Sequence, residues 1–567
     1  MDPTRAVLTQ QSELSMPTTR GGLIEFGPQP ASSRFIEDSH EQGDPMDEDQ
    51  PAPNNTVQTS DSQGSSPTLS NIVVGTPVSS DGEEDTPGQD NMPPSHGTTS
   101  LPDPPTVPAI NRSERRSSTR WALLFGYIGT ASAIAACAEP VEPKNVKQAR
   151  DDPMWKEWKK AMKDEVGSLQ KNKTWTLVNP PTNRRILRGK WVFKAKRGAN
   201  GEIVRYKARW VVRGFEQEEG VDYLETFAAV VKPMTYKIMF AIAAALGLEI
   251  EQMDVKTAFL YSDIDEEIYV EQPTRMDDGS GRVCRLNKAL YGLKQSPRLW
   301  YETLATYLKS LGFTPLSADM SVFVRGQTYI AVYVDDLLII GPSTEEIRKV
   351  KGLLSDRFQM TDLGPCHYYL GMTVTRDRSK RQVRLSQRAY IERILKDFGM
   401  QDCKPMATPM ETKAKLEPAP DDYTPSTIDR TRYAQLIGHL MYVMLGTRPD
   451  IAFPVSVLSR FMAKPTKKHI GAAKRVLRYL KATLHHELIF EGDLEALVGY
   501  TDSDWAGDTA RRRSTAGYVF NLGSGAVSWQ AKRQSVVALS SCEAEFMGQT
   551  QATKEAVWLR RLLQEVT

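Results

Sequence analysis

The chain has 567 residues and a formal net charge of +2, and this length accommodates several domains. Its five cysteines form no CxxC pair or other metal-ligand spacing, which argues against zinc fingers and a disulfide scaffold and favours a reducing compartment. The first residues are polar and lack an apolar core, so we do not expect a secreted protein.

The small net charge hides an uneven distribution along the chain. Residues 1–110 contain 17 acidic and 3 basic residues, whereas the remainder contains 69 basic and 53 acidic residues. A basic body behind an acidic tail indicates a polyanionic partner such as nucleic acid, although charge alone agrees equally well with a lysine-rich solvated surface.

The N-terminal part has the composition of a disordered segment. Residues 1–115 are rich in Pro, Ser, Thr, Gly and acidic residues and contain few aromatic ones, so we predict a disordered acidic tail. A linker over 116–150 follows, with a weakly apolar stretch at 121–138. That stretch could be a marginal membrane span, but its small residues favour a packed or signal-like helix, and we expect no stable membrane association.

Globular sequence begins near residue 152, and its patterns predict an α+β fold. Apolar spacing, turn residues and β-branched runs predict, in order, a helix over 152–169, a hairpin over 190–215 turning at Asn200-Gly201, a helix over 234–247, a strand over 248–260 and a helix over 296–313. We therefore expect an antiparallel sheet with helices behind it.

The stretch "AVYVDDLLII", 331–340, places two carboxylates inside an apolar run. We predict a hairpin whose turn carries Asp335 and Asp336 at its tip, with Val332 and Val334 packing inward. An ordinary polar turn would explain this pair alone. However, Asp254 also lies in an otherwise apolar strand, and three carboxylates on adjacent strands could hold two Mg²⁺ ions.

Several segments together resemble the reverse transcriptase of copia-type LTR retrotransposons. The resemblance covers residues from about 139 to the C-terminus, and its segments occur in the family's order: "KWVFKAKRGANGEIVRYKARWVVRGF", "MDVKTAFL", "IYVEQP", "LNKALYGLKQSPRLWY", "YVDDLLI", "LGPCHYYLGM", "TRPDIAF" and "STAGYVF". It implies a right-hand polymerase with fingers, an antiparallel palm sheet and a thumb.

The resemblance also implies roles for particular residues. Asp254, Asp335 and Asp336 are similar to the palm carboxylates that bind two Mg²⁺ ions, with Mn²⁺ as an alternative ion, for nucleotidyl transfer to a primer 3′-hydroxyl. Five further residues correspond to nucleotide-binding positions: Lys207 and Arg209 for the triphosphate, Phe259 as the gate against a 2′-hydroxyl, Tyr291 where the family often carries Gln, and Gly292 beside the template. A solvated face for the two cations and a core position for Phe259 are the alternatives.

The C-terminal segment resembles the start of a ribonuclease H domain. Asp502 and Glu545 correspond to its first two metal ligands, with Glu543 as a weaker candidate for the second. The other two carboxylates of that domain have no counterpart before Thr567, so we expect a truncated, inactive ribonuclease H-like α/β domain with exposed apolar surface.

These patterns predict fingers and palm over 151–395, a thumb or connection over 396–495 and the ribonuclease H-like part over 496–567. The leading hypothesis is an RNA-directed DNA polymerase whose partners are an RNA template, a DNA primer, an RNA–DNA hybrid, dNTPs and other polyprotein products. It would act in cytoplasmic virus-like particles or in the nucleus. The alternative is an inactive remnant that only binds nucleic acid; a DNA-templated replicative polymerase is disfavoured because nothing resembles an exonuclease domain.

Overall fold

The structure is a computed structural model that describes residues 22–26, 142–197, 203–412, 416–494 and 496–567, and all of them belong to one compact unit. Most of the predicted acidic tail, the apolar stretch 121–138 and the Asn200-Gly201 turn lie outside these ranges. Within them, no helix is both long enough and apolar enough to cross a bilayer.

The elements up to residue 365 form helices, a hairpin and two sheets, and their first strand belongs to the C-terminal sheet. The helices are α1 Val146–Asp151, α2 Trp155–Lys171, α3 Pro233–Ala245, α4 Ser296–Ser310 and α5 Thr344–Arg357. The strands are β1 Gly22–Phe26, β2 Trp175–Val178, β3 Ile186–Leu187, β4 Gly189–Arg197, β5 Ile203–Val212, β6 Glu249–Val255, β7 Tyr269–Val270, β8 Val283–Leu286, β9 Thr314–Pro315, β10 Val322–Arg325, β11 Thr328–Tyr333, β12 Asp336–Gly341 and β13 Met360–Pro365.

The remaining elements form a further four-stranded sheet, a helical cluster and a C-terminal layer. The strands are β14 Tyr368–Tyr369, β15 Met372–Asp377, β16 Gln382–Ser386, β17 Leu488–Glu491, β18 Leu497–Ser503, β19 Thr515–Leu522 and β20 Gly525–Arg533. The helices are α6 Arg388–Asp397, α7 Thr427–Gly446, α8 Ala452–Ser459, α9 Lys467–Ala482 and α10 Ser541–Val566.

An antiparallel six-stranded sheet in the order β13-β6-β12-β11-β10-β9 lies at the centre of the fold, which confirms the α+β class. On one face, side chains such as Ile330 and Leu337 pack against α4 and α5. On the other face, Ala331 and Leu338 pack with α3. The run 331–340 is almost continuously apolar because both faces of its strands are covered.

The hairpin β4–β5 has two chemically different faces. Trp191 and Phe193 on β4, with Trp210 on β5, are buried against Trp158 and Met162 of α2. The hairpin pairing and the apolar stripe of α2 are as predicted. Alternation along the strands places the cationic side chains of the hairpin on the opposite face.

Two expectations about strands need correction. The strand predicted over 248–260 ends at Val255, because Thr257 adopts a left-handed φ of +54° and a 3₁₀ turn, Ala258–Tyr261, follows. Within the segment 1–115, Gly22–Phe26 is a strand that pairs antiparallel with β18, from Gly22 opposite Thr501 to Phe26 opposite Leu497. A short, largely apolar segment can therefore add to the edge of β18 despite the polar composition around it.

The C-terminal part consists of the sheet β1-β18-β19-β20, with α10 packed on β18 and β19. Helices α6 to α9 form a separate apolar cluster. Strand β17 pairs with β16, so the segment predicted as thumb or connection returns to a sheet formed by the preceding segment. The predicted domain boundaries stay predictions.

Candidate active site

The three aspartates predicted from the sequence lie on two neighbouring strands and the turn beside them. Asp336, the first residue of β12, lies directly opposite Asp254 of β6 and closes the hairpin opposite Tyr333. The turn residues are therefore Val334 and Asp335, not the predicted Asp335 and Asp336. Only Asp335 occupies the tip, and Asp336 lies within the sheet.

Two hydrogen bonds hold this turn in place. The indole Nε1 of Trp300 donates to the carbonyl of Val334 at 2.7 Å, and the amide of Val255 donates to the carbonyl of Asp335 at 2.8 Å. They fix Val334 at a φ of +57°, which is rarely adopted by a β-branched residue and costs on the order of 1–3 kcal/mol. Val334 was predicted to alternate inward along a strand; it is instead a strained turn residue that packs partly against the core.

Burial and the charge of Asp335 disfavour ionisation of Asp254 and Asp336. Burial, together with the charge of Asp335, raises the pKa of Asp336 to about 6. Burial and then Asp335 also raise the pKa of Asp254, although the charges of Lys196, Lys207 and Arg209 oppose the rise. No lysine, arginine or histidine of the described ranges forms a salt bridge with the three aspartates.

A cation-rich wall lies across from the aspartates. One cavity of about 820 Å³ is lined by all three aspartates and by Lys196, Arg205, Lys207 and Arg209. Burial, followed by the charge of Arg209, lowers the pKa of Lys207. The predicted alternation of Lys207 and Arg209 on one face is therefore observed, and that face points into the cavity.

The predicted nucleotide-binding aromatic residues form a stack with Arg209. Its guanidinium lies 4.6 Å from the centre of the Tyr291 ring, and Tyr291 meets Phe259 edge to face at 4.8 Å. Burial raises the pKa of Tyr291 to about 12, so its hydroxyl remains protonated at neutral pH. Sequence reasoning named these residues but not their mutual contact.

Gly292 has a packing reason for lacking a side chain. It adopts a φ of +98°, and a Cβ there would overlap the carbonyl oxygen of Val212 on β5. The amide of Val212 also donates to the carbonyl of Tyr291 at 2.8 Å. The glycine therefore brings the loop of Tyr291 against the hairpin, and its predicted proximity to a template stays a prediction.

Comparison with known proteins identifies the family. Residues 172–412 match the family described as reverse transcriptase (RNA-dependent DNA polymerase). The chain is 35% identical over 311 residues to a transposon Ty5-1 protein of Saccharomyces cerevisiae, covering 53% of this chain and 100% of that protein. It is also 44% identical over 438 residues to the retrovirus-related Pol polyprotein from transposon TNT 1-94 of Nicotiana tabacum, covering 75% of this chain and 33% of the polyprotein. The chain belongs to the reverse transcriptase family of copia-type retrotransposon Pol polyproteins.

The chain spans about a third of the length of three plant Pol polyproteins to which it is similar. Among solved structures, the foamy viral protease-reverse transcriptase in complex with double-stranded DNA aligns with a TM-score of 0.38 and 12% identity, covering 71% of this chain and 60% of that one.

In this reverse transcriptase chain, the C-terminal carboxylates are also brought together. Glu545 of α10 lies beside Asp502 of β18, and burial together with the charge of Asp502 raises the pKa of Glu545. Glu543 has a different role, because its carboxylate accepts a hydrogen bond from the amide of Leu539 at 2.6 Å near the start of α10. The structure thus favours Glu545 over Glu543 as the partner of Asp502.

Sequence reasoning missed three residues of the candidate site. Lys196 follows the same alternation as the cations on β5, and that pattern on β4 could have revealed it. Gln252 donates to Asp336, and Trp300 donates to the turn. The only signal for Gln252 was a neutral amide two residues before Asp254 on the same face of β6. No set of three or more His, Cys, Asp or Glu side chains is arranged as a ready metal site in the portion of the chain that the structure describes.

Proposed function

We propose that this chain is an RNA-directed DNA polymerase that extends a DNA primer on an RNA template by nucleotidyl transfer from dNTPs. One observation carries the proposal: Asp254, Asp335 and Asp336 line the same cavity as a group of cationic side chains, which suits a ligand that bears both phosphates and divalent cations. A right-hand arrangement follows, with the hairpin β4–β5 as fingers and the six-stranded sheet as palm.

The aspartates are suited to hold two Mg²⁺ ions, with Mn²⁺ as an alternative. Their donors are hard carboxylate oxygens, and the raised pKa values of Asp254 and Asp336 reflect burial and then the charge of Asp335, a repulsion that a divalent cation would relieve. When bound, such ions supply activation of a primer hydroxyl and neutralisation of the leaving phosphate. Asp254, Asp335 and Asp336 would orient them at the floor of the cavity.

The opposite wall would bind the nucleotide. Lys207 and Arg209 are suited to the triphosphate, because they face the cavity without a carboxylate partner in salt-bridge distance among the described residues. Tyr291 keeps Arg209 in place through its ring, and Phe259 would lie under the sugar and exclude a 2′-hydroxyl. Phe259→Ala should therefore increase incorporation of UTP relative to dTTP, while Phe313→Leu, whose ring contacts Arg325 rather than Tyr291, should not.

The C-terminal pair Asp502 and Glu545 would face an RNA–DNA hybrid. Their proximity supports a divalent cation between them, because burial and the charge of Asp502 raise the pKa of Glu545. The expected lack of ribonuclease H activity stays a prediction. Association with other polyprotein products, in cytoplasmic particles or in the nucleus, is likewise part of the proposal.

Primer extension tests the proposal directly. The full chain is incubated with poly(rA)/oligo(dT), dTTP and Mg²⁺, beside Asp335→Asn and the matched control Asp422→Asn, whose carboxylate lies on an exposed loop. We expect incorporation by the wild type and the control, and none by Asp335→Asn. If none of the three proteins extends the primer but all bind the duplex, the chain is a nucleic-acid-binding remnant and the proposal is refuted.

A further inference from the structure

Gln252 is a buried polar side chain that contacts the polymerase carboxylates. It lies on β6 two residues before Asp254, and only 7% of its surface is exposed. Its Nε2 donates to Oδ1 of Asp336 at 3.1 Å. The strand register pairs Gln252 with Leu338 and Asp254 with Asp336, so this contact is a diagonal one across β6 and β12.

The core at this position does not itself require an amide. The neighbours of Gln252 on the same face, Ile250 on β6 and Leu338 on β12, are buried apolar residues. A leucine would continue this face, whereas a buried amide must find hydrogen-bond partners to offset its loss of water. The partner that Gln252 has found is a carboxylate of the proposed active site.

We propose that Gln252 is a positioning residue for the polymerase site, which fixes the carboxylate of Asp336 so that its free oxygen is directed to the cations. The inference rests on the proposed function. By holding Oδ1, the amide opposes rotation of the carboxylate away from Asp335 and Asp254, whose like charges repel it.

The chemistry of glutamine suits this task better than the other polar residues. A lysine or arginine would neutralise Asp336 and repel a metal ion, while a glutamate would add another negative charge to the cluster. Serine and threonine are too short, because a diagonal contact spans about 7–8 Å between strand positions. A long, neutral donor keeps the carboxylate oriented and leaves its charge available to the metal.

Mn²⁺ binding followed by electron paramagnetic resonance tests the inference without relying on catalysis. The full chain is titrated with Mn²⁺ in the absence of dNTP, as wild type, Gln252→Met and Gln252→Asn. Methionine keeps the side-chain volume and removes the hydrogen-bond donor. Asparagine keeps the amide but is one methylene shorter, so the amide no longer reaches Asp336. Hydrogen-bond partners of metal ligands typically change metal affinity by 10- to 100-fold, so we expect both variants to bind about 10-fold more weakly.

Two further variants separate positioning from general loss of stability. Gln387→Met removes another buried amide, which donates to the carbonyl of Tyr442 and does not line the cavity, and should leave Mn²⁺ affinity unchanged. Asp336→Asn identifies which binding event belongs to the site. In primer extension, saturating Mn²⁺ should restore most of the rate to Gln252→Met but none to Asp336→Asn.

The outcomes are distinguishable from those that test the proposed function. If the Gln252 variants bind Mn²⁺ as tightly as wild type while Asp336→Asn does not, Gln252 is only a core residue and the polymerase proposal stands. If Mn²⁺ binding is insensitive to Asp336→Asn, the carboxylates hold no metal and both proposals fail. Weaker binding by the Gln252 variants supports positioning even where primer extension by the wild type is absent.

Discussion

Asp336 is expected to destabilise the metal-free protein, so Asp336→Asn should stabilise the fold while it abolishes polymerisation. Burial and the charge of Asp335 raise the pKa of Asp336 from 3.8 to about 6. A difference of this size corresponds to about 3 kcal/mol of unfavourable ionisation in the folded state, and this is an upper value because the side chain is partly solvent-exposed. Asparagine keeps an acceptor for Gln252 and removes the charge.

The sign of the pH dependence follows from the raised pKa. Below about pH 3.8 the carboxyl is protonated in both folded and unfolded chains, and asparagine gives no advantage. Between pH 3.8 and about 6 the unfolded chain loses its proton first, so the wild type loses stability relative to the variant. Above pH 6 the difference is constant at no more than about 3 kcal/mol.

Urea unfolding followed by tryptophan fluorescence, in EDTA from pH 4 to pH 8, measures this difference. Asp362→Asn is the matched control on the same sheet: although burial opposes it, the hydrogen bond and charge of Lys351 lower the pKa of Asp362. Its substitution should therefore destabilise the protein at neutral pH. An Asp336→Asn protein that is less stable than wild type at pH 8, or whose gain does not vary with pH, would show that the repulsion argument is wrong.

Three further substitutions test other contacts of the site. Tyr291→Leu should raise the KM for dTTP about 2- to 10-fold in steady-state kinetics, because Arg209 loses its cation–π contact. Tyr291→Phe keeps an aromatic ring and should change the KM little. Equal effects of the two substitutions would exclude the ring as the cause. Trp300→Phe removes the hydrogen bond to the carbonyl of Val334 and should lower kcat more than it changes KM. An unchanged kcat would show that this hydrogen bond is not needed to hold the turn. Lys351→Met leaves two acidic partners unpaired and should cost on the order of 3 kcal/mol in thermal unfolding at pH 7, while a neutral result would mean that they become solvated.

Much of the central sheet could be predicted because its signals are local. The helices α3 and α4, the hairpin β4–β5 and the strands around Asp254 follow from apolar spacing and turn residues. The end of β6 could not be predicted in this way. The left-handed Thr257 that ends the strand has no distinctive sequence signal, and the apolar residues after it belong to a 3₁₀ turn instead.

The composition of the site was predictable, but its register was not. Two adjacent aspartates predict a turn at both, whereas the structure places the strained Val334 in the turn and Asp336 in the sheet. No intrinsic preference favours valine at a positive φ; the indole of Trp300, 34 residues away in sequence, helps fix it there. Gln252 was missed for the same reason, since only the register of β6 and β12 brings it to Asp336.

The cationic side chains of the hairpin, like the aspartates, are held close to other charges of the same sign. Lys194 lies directly opposite Lys207, and Lys196 directly opposite Arg205, so like charges face each other across the hairpin. Such pairs weaken an isolated hairpin, and the large apolar face against α2 offsets their cost. The described residues form no salt bridge across the cavity that would join the two charged sets. Lys194 is paired with Glu142, whereas Lys196, Arg205, Lys207 and Arg209 line the cavity that also holds the three aspartates. This composition agrees with the proposed ligand, a triphosphate with its divalent cations.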